Sequence, residues 1–284
     1  MLDAIEHMPT ALKVLWVASW LAGATLLERL IPLSREPYHR LRHLRVNGAL
    51  LASTLVINGL FGLLLVRMVP WLEQHRFGLF HLFELPIWFE LLLTVLILDL
   101  LAQYVVHYLL HNVPLLWRFH MVHHSDTHVD ATTGTRHHPV DYAVRETFSL
   151  VIVALLGAPI AFYLLYRLLT VVFTYLTHAN IRLPGALDRA LATVFVTPDA
   201  HKFHHHENHP WTDRNYGNVF SIWDRLFGTF VYDDTARIRY GVDTMVAERA
   251  DALVYQLRQP FSHDAGRARA SHLAAAATPG AGTD

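Results

Sequence analysis

The 284-residue chain is 53% apolar and only 17% charged, with a net charge of −1. Soluble domains carry roughly 25% charged residues, so the composition argues against an ordinary soluble domain, and near-neutrality gives a nucleic-acid partner no electrostatic footing. With no cysteine, disulfides, thiolate zinc sites, iron–sulfur clusters and thiolate haem are all excluded from this chain.

A bilayer core takes about 20 mostly apolar helical residues to cross. In chain order, residues 11–31, 47–70 and 86–111 meet that requirement. The first is too long and too polar at its end to read as a cleaved signal peptide. The run 147–178 is longer than one crossing needs, and Gly157 and Pro159 break it near the middle. It reads as a helical hairpin that enters and leaves on one side. Arg35, Arg40, Arg42 and Arg45 crowd the first loop, which places that loop in the cytoplasm and the mixed-charge loop 71–85 outside. His107 and His111 then return to the cytoplasmic face, together with everything after 147. Residues 1–264 read as a single integral-membrane domain with its motifs in 90–235, and 265–284 as a low-complexity disordered tail. The expected fold is therefore an all-α membrane protein. It has about three transmembrane helices plus a helical hairpin, under a cytosolic histidine-rich helical cap.

Histidine is the outlier, with 21 residues, 14 of them between His107 and His209. "HYLLH" spaces His107 and His111 by four. "HMVHH" carries His120, His123 and His124, and "HKFHH" carries His201, His204 and His205. Spacings of three and four share one helix face. Imidazole is a common ligand for iron, copper, zinc and nickel. Eight imidazoles exceed the needs of one ion and suit two. Isolated histidines such as His43 read as interfacial polar residues. Asp99, Gln103 and His107 follow at intervals of four, so Asp99 is expected to accept the free N–H of a ligand imidazole. Asp199 and Asp224 are similar candidates, and Asn180 either holds a ligand or caps a helix. Trp117, Phe119, Trp211, Trp223, Phe227 and Phe230 read mainly as anchors at the membrane boundary. In "NYG", Gly217 is expected to supply a positive φ.

These motifs, together with "LWRFHMVHHSD", "TGTRHHP", "THAN", "TPDAHKFHHH" and "NYGNVFSIWDRLFGTF", make the chain resemble the sterol desaturase and fatty acid hydroxylase superfamily of membrane di-iron enzymes. The resemblance covers roughly residues 90–235. It implies two further ligands, His138 from "RxHP" and His178 from "HAN", with Asp141 as a carboxylate partner where relatives often carry glutamate. His137, His206 and His209 stay outside that ligand set. It also implies two iron ions, O2 as co-substrate, and hydroxylation of a C–H bond in a fatty acid, sterol, carotenoid or related lipid, or desaturation on the same scaffold. The chain has no cytochrome b5 module and no dinucleotide fingerprint, so a separate ferredoxin or cytochrome is expected to supply electrons. The expected location is a bacterial inner membrane, with the metal site on the cytoplasmic side. A metal transporter or storage protein would instead spread its ligands along a path through the helices. A zinc hydrolase would want H-E-x-x-H, which "HENHP" does not supply.

Overall fold

Four apolar runs fold into helices long and apolar enough to cross a membrane: Thr10–Leu30, Arg40–His81, Ile87–Asn112 and Ile160–His178. The computed structural model describes residues 2–208, 211–235, 238–242 and 244–262. The expected tail from 265, and His209, lie outside the described residues. In chain order the main elements are α1 (Thr10–Leu30), α2 (Arg40–Gln74), α3 (Ile87–Asn112), α4 (Pro114–His124), α5 (Pro139–Leu156), α6 (Ile160–His178), α7 (Pro198–His204) and α8 (Ile222–Leu226). Among the described residues there is no β-sheet, only three isolated bridges.

The apolar surface is turned outward. Leu55, Leu60, Leu63 and Val66 on α2 are each more than half exposed. So many large exposed aliphatics on one helix call for a lipid surround. The inward face packs Leu65 and Val69 of α2 and Leu98 and Ala102 of α3 against Ile152, Val153 and Tyr166 of α5 and α6.

The expected break in 147–178 falls where the sequence places it. Gly157 sits at φ +65°, a left-handed cap that ends α5, and α6 starts directly after Pro159. The turn is also a close approach of backbones, since a Cβ on Gly157 would lie 2.6 Å from the Phe77 carbonyl oxygen. The first arm of the hairpin begins at Pro139, earlier than the apolar run. Its first two turns carry Asp141, Arg145 and Glu146, all buried. Those charges turn inward to the bundle and away from lipid.

Within α3, residues Leu98–Val105 form a π-helical stretch. Asp99, Gln103 and His107 all bond the 216–223 segment, through the N–H groups of Val219 and Phe220, Asn218 and the Tyr216 carbonyl respectively, but Asp99 reaches no imidazole. Asp99 instead accepts from Tyr166 Oη (2.8 Å), Trp223 Nε1 (2.9 Å) and the backbone N–H groups of Val219 and Phe220 (3.2 Å each). It pins the 216–224 segment onto α3 and α6. Trp223 is thus tied to Asp99 and is no surface anchor.

Gly217 does not supply the positive φ; Asn215 does, at +52°. Gly217 is required for space. A Cβ there would lie 2.6 Å from the Phe220 carbonyl oxygen and 2.8 Å from Asp224 Oδ2. Asp224 accepts from the N–H groups of Tyr216 (2.7 Å) and Gly217 (2.8 Å). Gly217→Ala is expected to destabilise the fold by about 1–3 kcal/mol through overpacking, read as a lowered melting temperature. An unchanged melting temperature would contradict this reading.

Candidate metal centre

The chain brings its histidines together by three local devices. Pro114 forbids helix at Val113, which is extended (φ −93°, ψ 115°), so α3 ends and α4 folds back beside it. That reversal sets His107 against His120 and His111 against His124, with each pair of Nε2 atoms 3.1 Å apart. At α7, Thr197 caps the helix by accepting from Ala200 N, and Pro198 takes the first turn. The short helix then presents His201, His204 and His205. Lys202 fastens α7 to the end of α6. Its Nζ donates to the carbonyls of Thr177 (2.9 Å), His178 (2.8 Å) and Ala179 (2.8 Å), occupying otherwise orphaned C-terminal acceptors. Burial pulls Lys202 down to about 7, opposed by Glu28 and Asp199.

The result is two adjoining groups of buried imidazoles. One contains His107, His111, His120, His124 and His204; the other contains His123, His178, His201 and His205. Within each group one ring nitrogen per residue lies within 4.8 Å of the others. In the second group, His178 Nε2 is 3.2 Å from His123 Nε2 and 3.1 Å from His201 Nε2. A third, smaller set joins His120 to His137 and Asp141.

Hydrogen bonds on the outer nitrogens fix which lone pairs face inward. Nδ1–H of His107 donates to the Tyr216 carbonyl (2.9 Å), that of His178 to Thr174 (2.7 Å) and that of His204 to Arg214 (2.7 Å). His111 Nδ1–H donates to the Asp213 carboxylate (3.0 Å). In all four, Nε2 is left as a bare lone pair aimed at the cluster. His204 Nε2 and both nitrogens of His205 are buried without a protein partner. Burial holds His123, His124, His204 and His205 well below the ordinary imidazole range, and His120 at about 3. At neutral pH these rings are uncharged donors crowded lone pair to lone pair, an arrangement that a cation stabilises. The donor set fits two metal ions, one in each group.

The fatty acid hydroxylase family model matches residues 91–229, a span that holds all nine of these imidazoles. Residues 91–229 are thus similar to a fatty acid hydroxylase domain. It is 32% identical to the ornithine lipid hydroxylase OlsE of Rhizobium tropici over 62% of this chain and 52% of OlsE. It is 30% identical to the alkylglycerol monooxygenase of Caenorhabditis elegans, over 45% of this chain and 24% of that protein. With the alkylglycerol monooxygenase of Danio rerio the identity is 31%, over 57% and 35%. The chain spans about half the length of OlsE and less of the other two. No solved structure matches it significantly.

Nine of the ten candidate ligands meet in the two groups, and His138 does not. Its Nδ1 accepts from Val140 N, where it caps α5, and its ring packs 5.1 Å from Phe119 and 6.1 Å from Phe261. His137, outside the expected set, is the neighbour that turns inward. It stacks 4.6 Å from His123, and its Nδ1–H donates to Asp141 Oδ2 (2.8 Å). The proline after "HH" starts a helix, and the N-cap residue points away from the residue before it; spacing alone could not tell the two apart. His138→Ala is expected to leave metal content unchanged and lower stability by about 1 kcal/mol through the lost cap. Loss of an equivalent of metal in that variant would restore His138 as a ligand.

Of the expected carboxylate and amide partners, Asp141 does reach imidazoles. Beside His137 it faces His120 Nδ1 at 3.5 Å. Burial alone would raise its pKa, but Arg145, then His120 and His137, outweigh burial and hold it well below the carboxylate range. Gln103 accepts from Asn218 Nδ2 (3.2 Å). Asn180 exchanges hydrogen bonds with the backbone of Ser34 (2.9 and 2.8 Å). Asp199 meets Tyr232 Oη at 3.5 Å. Like Asp99, these three contact no imidazole by a hydrogen bond; they hold the loops around the site. Asp213 and the carbonyls of Tyr216, Arg214 and Thr174, which do contact the rings, carry no sequence signal of that role. Trp117 is buried and packs 5.0 Å from His111 and 5.5 Å from His124. It walls the site and does not sit at the membrane surface. His43, likewise, is buried within 3.4–3.5 Å of Asp126, Asp130 and Asp251, joining α2 to the segments that follow α4 and precede the C-terminal end of the described chain.

Proposed function

We propose that this protein is a membrane-bound lipid hydroxylase that uses two iron ions, O2 and electrons from a separate ferredoxin- or cytochrome-type donor. The observation that carries the reading is the pair of adjoining all-imidazole groups, four of whose rings line a cavity shared with residues of the apolar helices. The proposed ligands are the nine imidazoles of the two groups, with His137 and Asp141 beside them. The overall change is RH + O2 + 2e− + 2H+ → ROH + H2O. Bound iron would supply the redox chemistry that no amino-acid side chain offers.

The chain's own residues bind, orient and exclude water. The cavity, about 1070 Å3 including open solvent, is lined by Val17, Leu51, Leu55 and Val171 and also by His107, His123, His178 and His201. Val17 and Leu51 lie within candidate membrane helices, which supports entry of a lipid from the bilayer. Tyr216, Asp213, Thr174 and Arg214 hold four rings in one tautomer with Nε2 inward. All nine rings lie at or near helix ends on one side of the bundle. This favours a single-face site over a transport path and, with the arginine-rich first loop, supports a cytoplasmic site in a bacterial inner membrane. Lipid mass spectrometry of cells with and without the protein tests the reading. A lipid gaining one oxygen is expected. A lipid losing two hydrogens would reassign the enzyme as a desaturase, and no lipid change with iron-loaded protein and reductant would overturn the proposal.

A further inference from the structure

Three arginines lie beside or near the site, Arg136 and Arg145 buried and Arg167 partly so, and two of them are fully engaged. Arg136 donates to the Val122 and Ala250 carbonyls, Asn47 Oδ1 and Ser125 Oγ. Arg167 pairs with Glu146 (2.9 Å) and donates to Tyr142 Oη (2.6 Å) and Asn58 Oδ1 (3.2 Å). Arg145 is different. It is 9% exposed, and its Nε has no hydrogen-bond partner. Its one charged neighbour is Asp141 Oδ1, 3.5 Å from Nε, and Asp141 is already shared with His137 and His120. Arg145 lines the same cavity as His107, His123, His178 and His201.

A guanidinium carries five N–H donors in a planar fork shaped for a carboxylate or other oxygen pair. Taking it out of water without acceptors is costly. Asp141 offsets the charge but leaves the terminal nitrogens unengaged, so a ligand entering this cavity meets a preformed donor. We propose that Arg145 binds an acceptor oxygen of the lipid substrate, a carboxylate or an ester carbonyl, beside the histidine groups. The carbon oxidised then lies near that oxygen, toward the polar end of the lipid, and pure hydrocarbons are poor substrates. The inference rests on the lipid-oxidising reading above and adds the class of substrate to it.

The test uses three probes with matched ten-carbon tails on the full purified chain in detergent: decanoate, methyl decanoate and decyltrimethylammonium. Binding is read from the concentration that half-saturates the rise in melting temperature. Decanoate is expected to saturate at a roughly 10- to 100-fold lower concentration than the cation, and Arg145→Met to abolish that difference, as loss of a charged hydrogen bond predicts. Methyl decanoate binding as tightly as decanoate assigns a neutral carbonyl as the partner; decanoate alone binding tightly assigns an anion. Should Arg145→Met fail to melt cooperatively, Arg145→Lys replaces it. An approximately tenfold weaker decanoate response there supports the proposal, and an unchanged one overturns it. Equal binding of decanoate and the cation by wild type, or wild-type decanoate binding by Arg145→Met, also overturns it. Arg145-dependent binding in a chain that oxidises no lipid would sink the enzyme reading and leave the oxygen-binding site standing. Lipid oxidation with an unchanged KM in Arg145→Met would do the reverse.

Discussion

His123→Ala is expected to insert into the membrane and fold but to lose at least about 100-fold in turnover, together with one equivalent of metal. Removing a residue that merely orients a ligand commonly costs 10- to 100-fold, and His123 is placed to be a ligand itself. Its ring is 3% exposed, and its Nε2 lies 3.2 Å from that of His178. It closes the four-imidazole group, where fewer donors remain to compensate than in the five-imidazole group. The ring lies near the end of α4, outside the four membrane-crossing candidates, so insertion does not depend on it. Metal analysis and turnover measured on the same preparation check the expectation. Full activity with two metals retained would remove the second group from the mechanism.

Protein expressed in iron-replete medium is expected to hold two irons per chain, and a chelator is expected to lower its melting temperature by on the order of 5 °C. The size follows from linkage, since an ion present at 100 times its dissociation constant stabilises by about 2.7 kcal/mol, and each kcal/mol moves a chain of this size by roughly 2–4 °C. The physical cause is the convergence of neutral Nε2 lone pairs at 3.1–3.2 Å in both groups. Withdrawal of the ions leaves those dipoles opposed in a site that excludes water. Elemental analysis and calorimetry before and after chelation check both parts. One metal per chain, stoichiometric zinc with no iron-dependent activity, or a melting temperature indifferent to chelation would count against a two-iron centre.

Much of this molecule was legible in the chain itself, because the signals were local. Apolar runs of bilayer length mark membrane helices regardless of what they pack against. Gly157 and Pro159 announce the hairpin turn through their own backbone limits. The spacings 107/111, 120/123/124 and 201/204/205 pre-align imidazoles on helix faces before any tertiary contact forms. What failed were the inferences about which distant group each side chain would meet. Asp99 was expected to hold a ligand imidazole, but its carboxylate is taken up by Tyr166, Trp223 and the backbone of Val219 and Phe220. His137 and His138 differ only in which one caps α5, a matter of how the chain enters that helix. Trp117 and Trp223 resemble boundary aromatics in composition, yet Trp117 packs against His111 and His124 and Trp223 is tied to Asp99.

By itself the sequence determined that the protein is helical and apolar enough for a membrane, and that it holds imidazoles in clusters too regular for chance. Those properties depend on residue type and on separations of a few positions. Only the tertiary structure decided that nine rings sort into groups of five and four, that backbone carbonyls and Asp213 set their tautomers, and that Arg145 faces the same cavity. Each of these joins residues from separate helices. Their meeting depends on where α3 folds back into α4 and how Lys202 docks α7 onto the end of α6, geometry that no local pattern encodes.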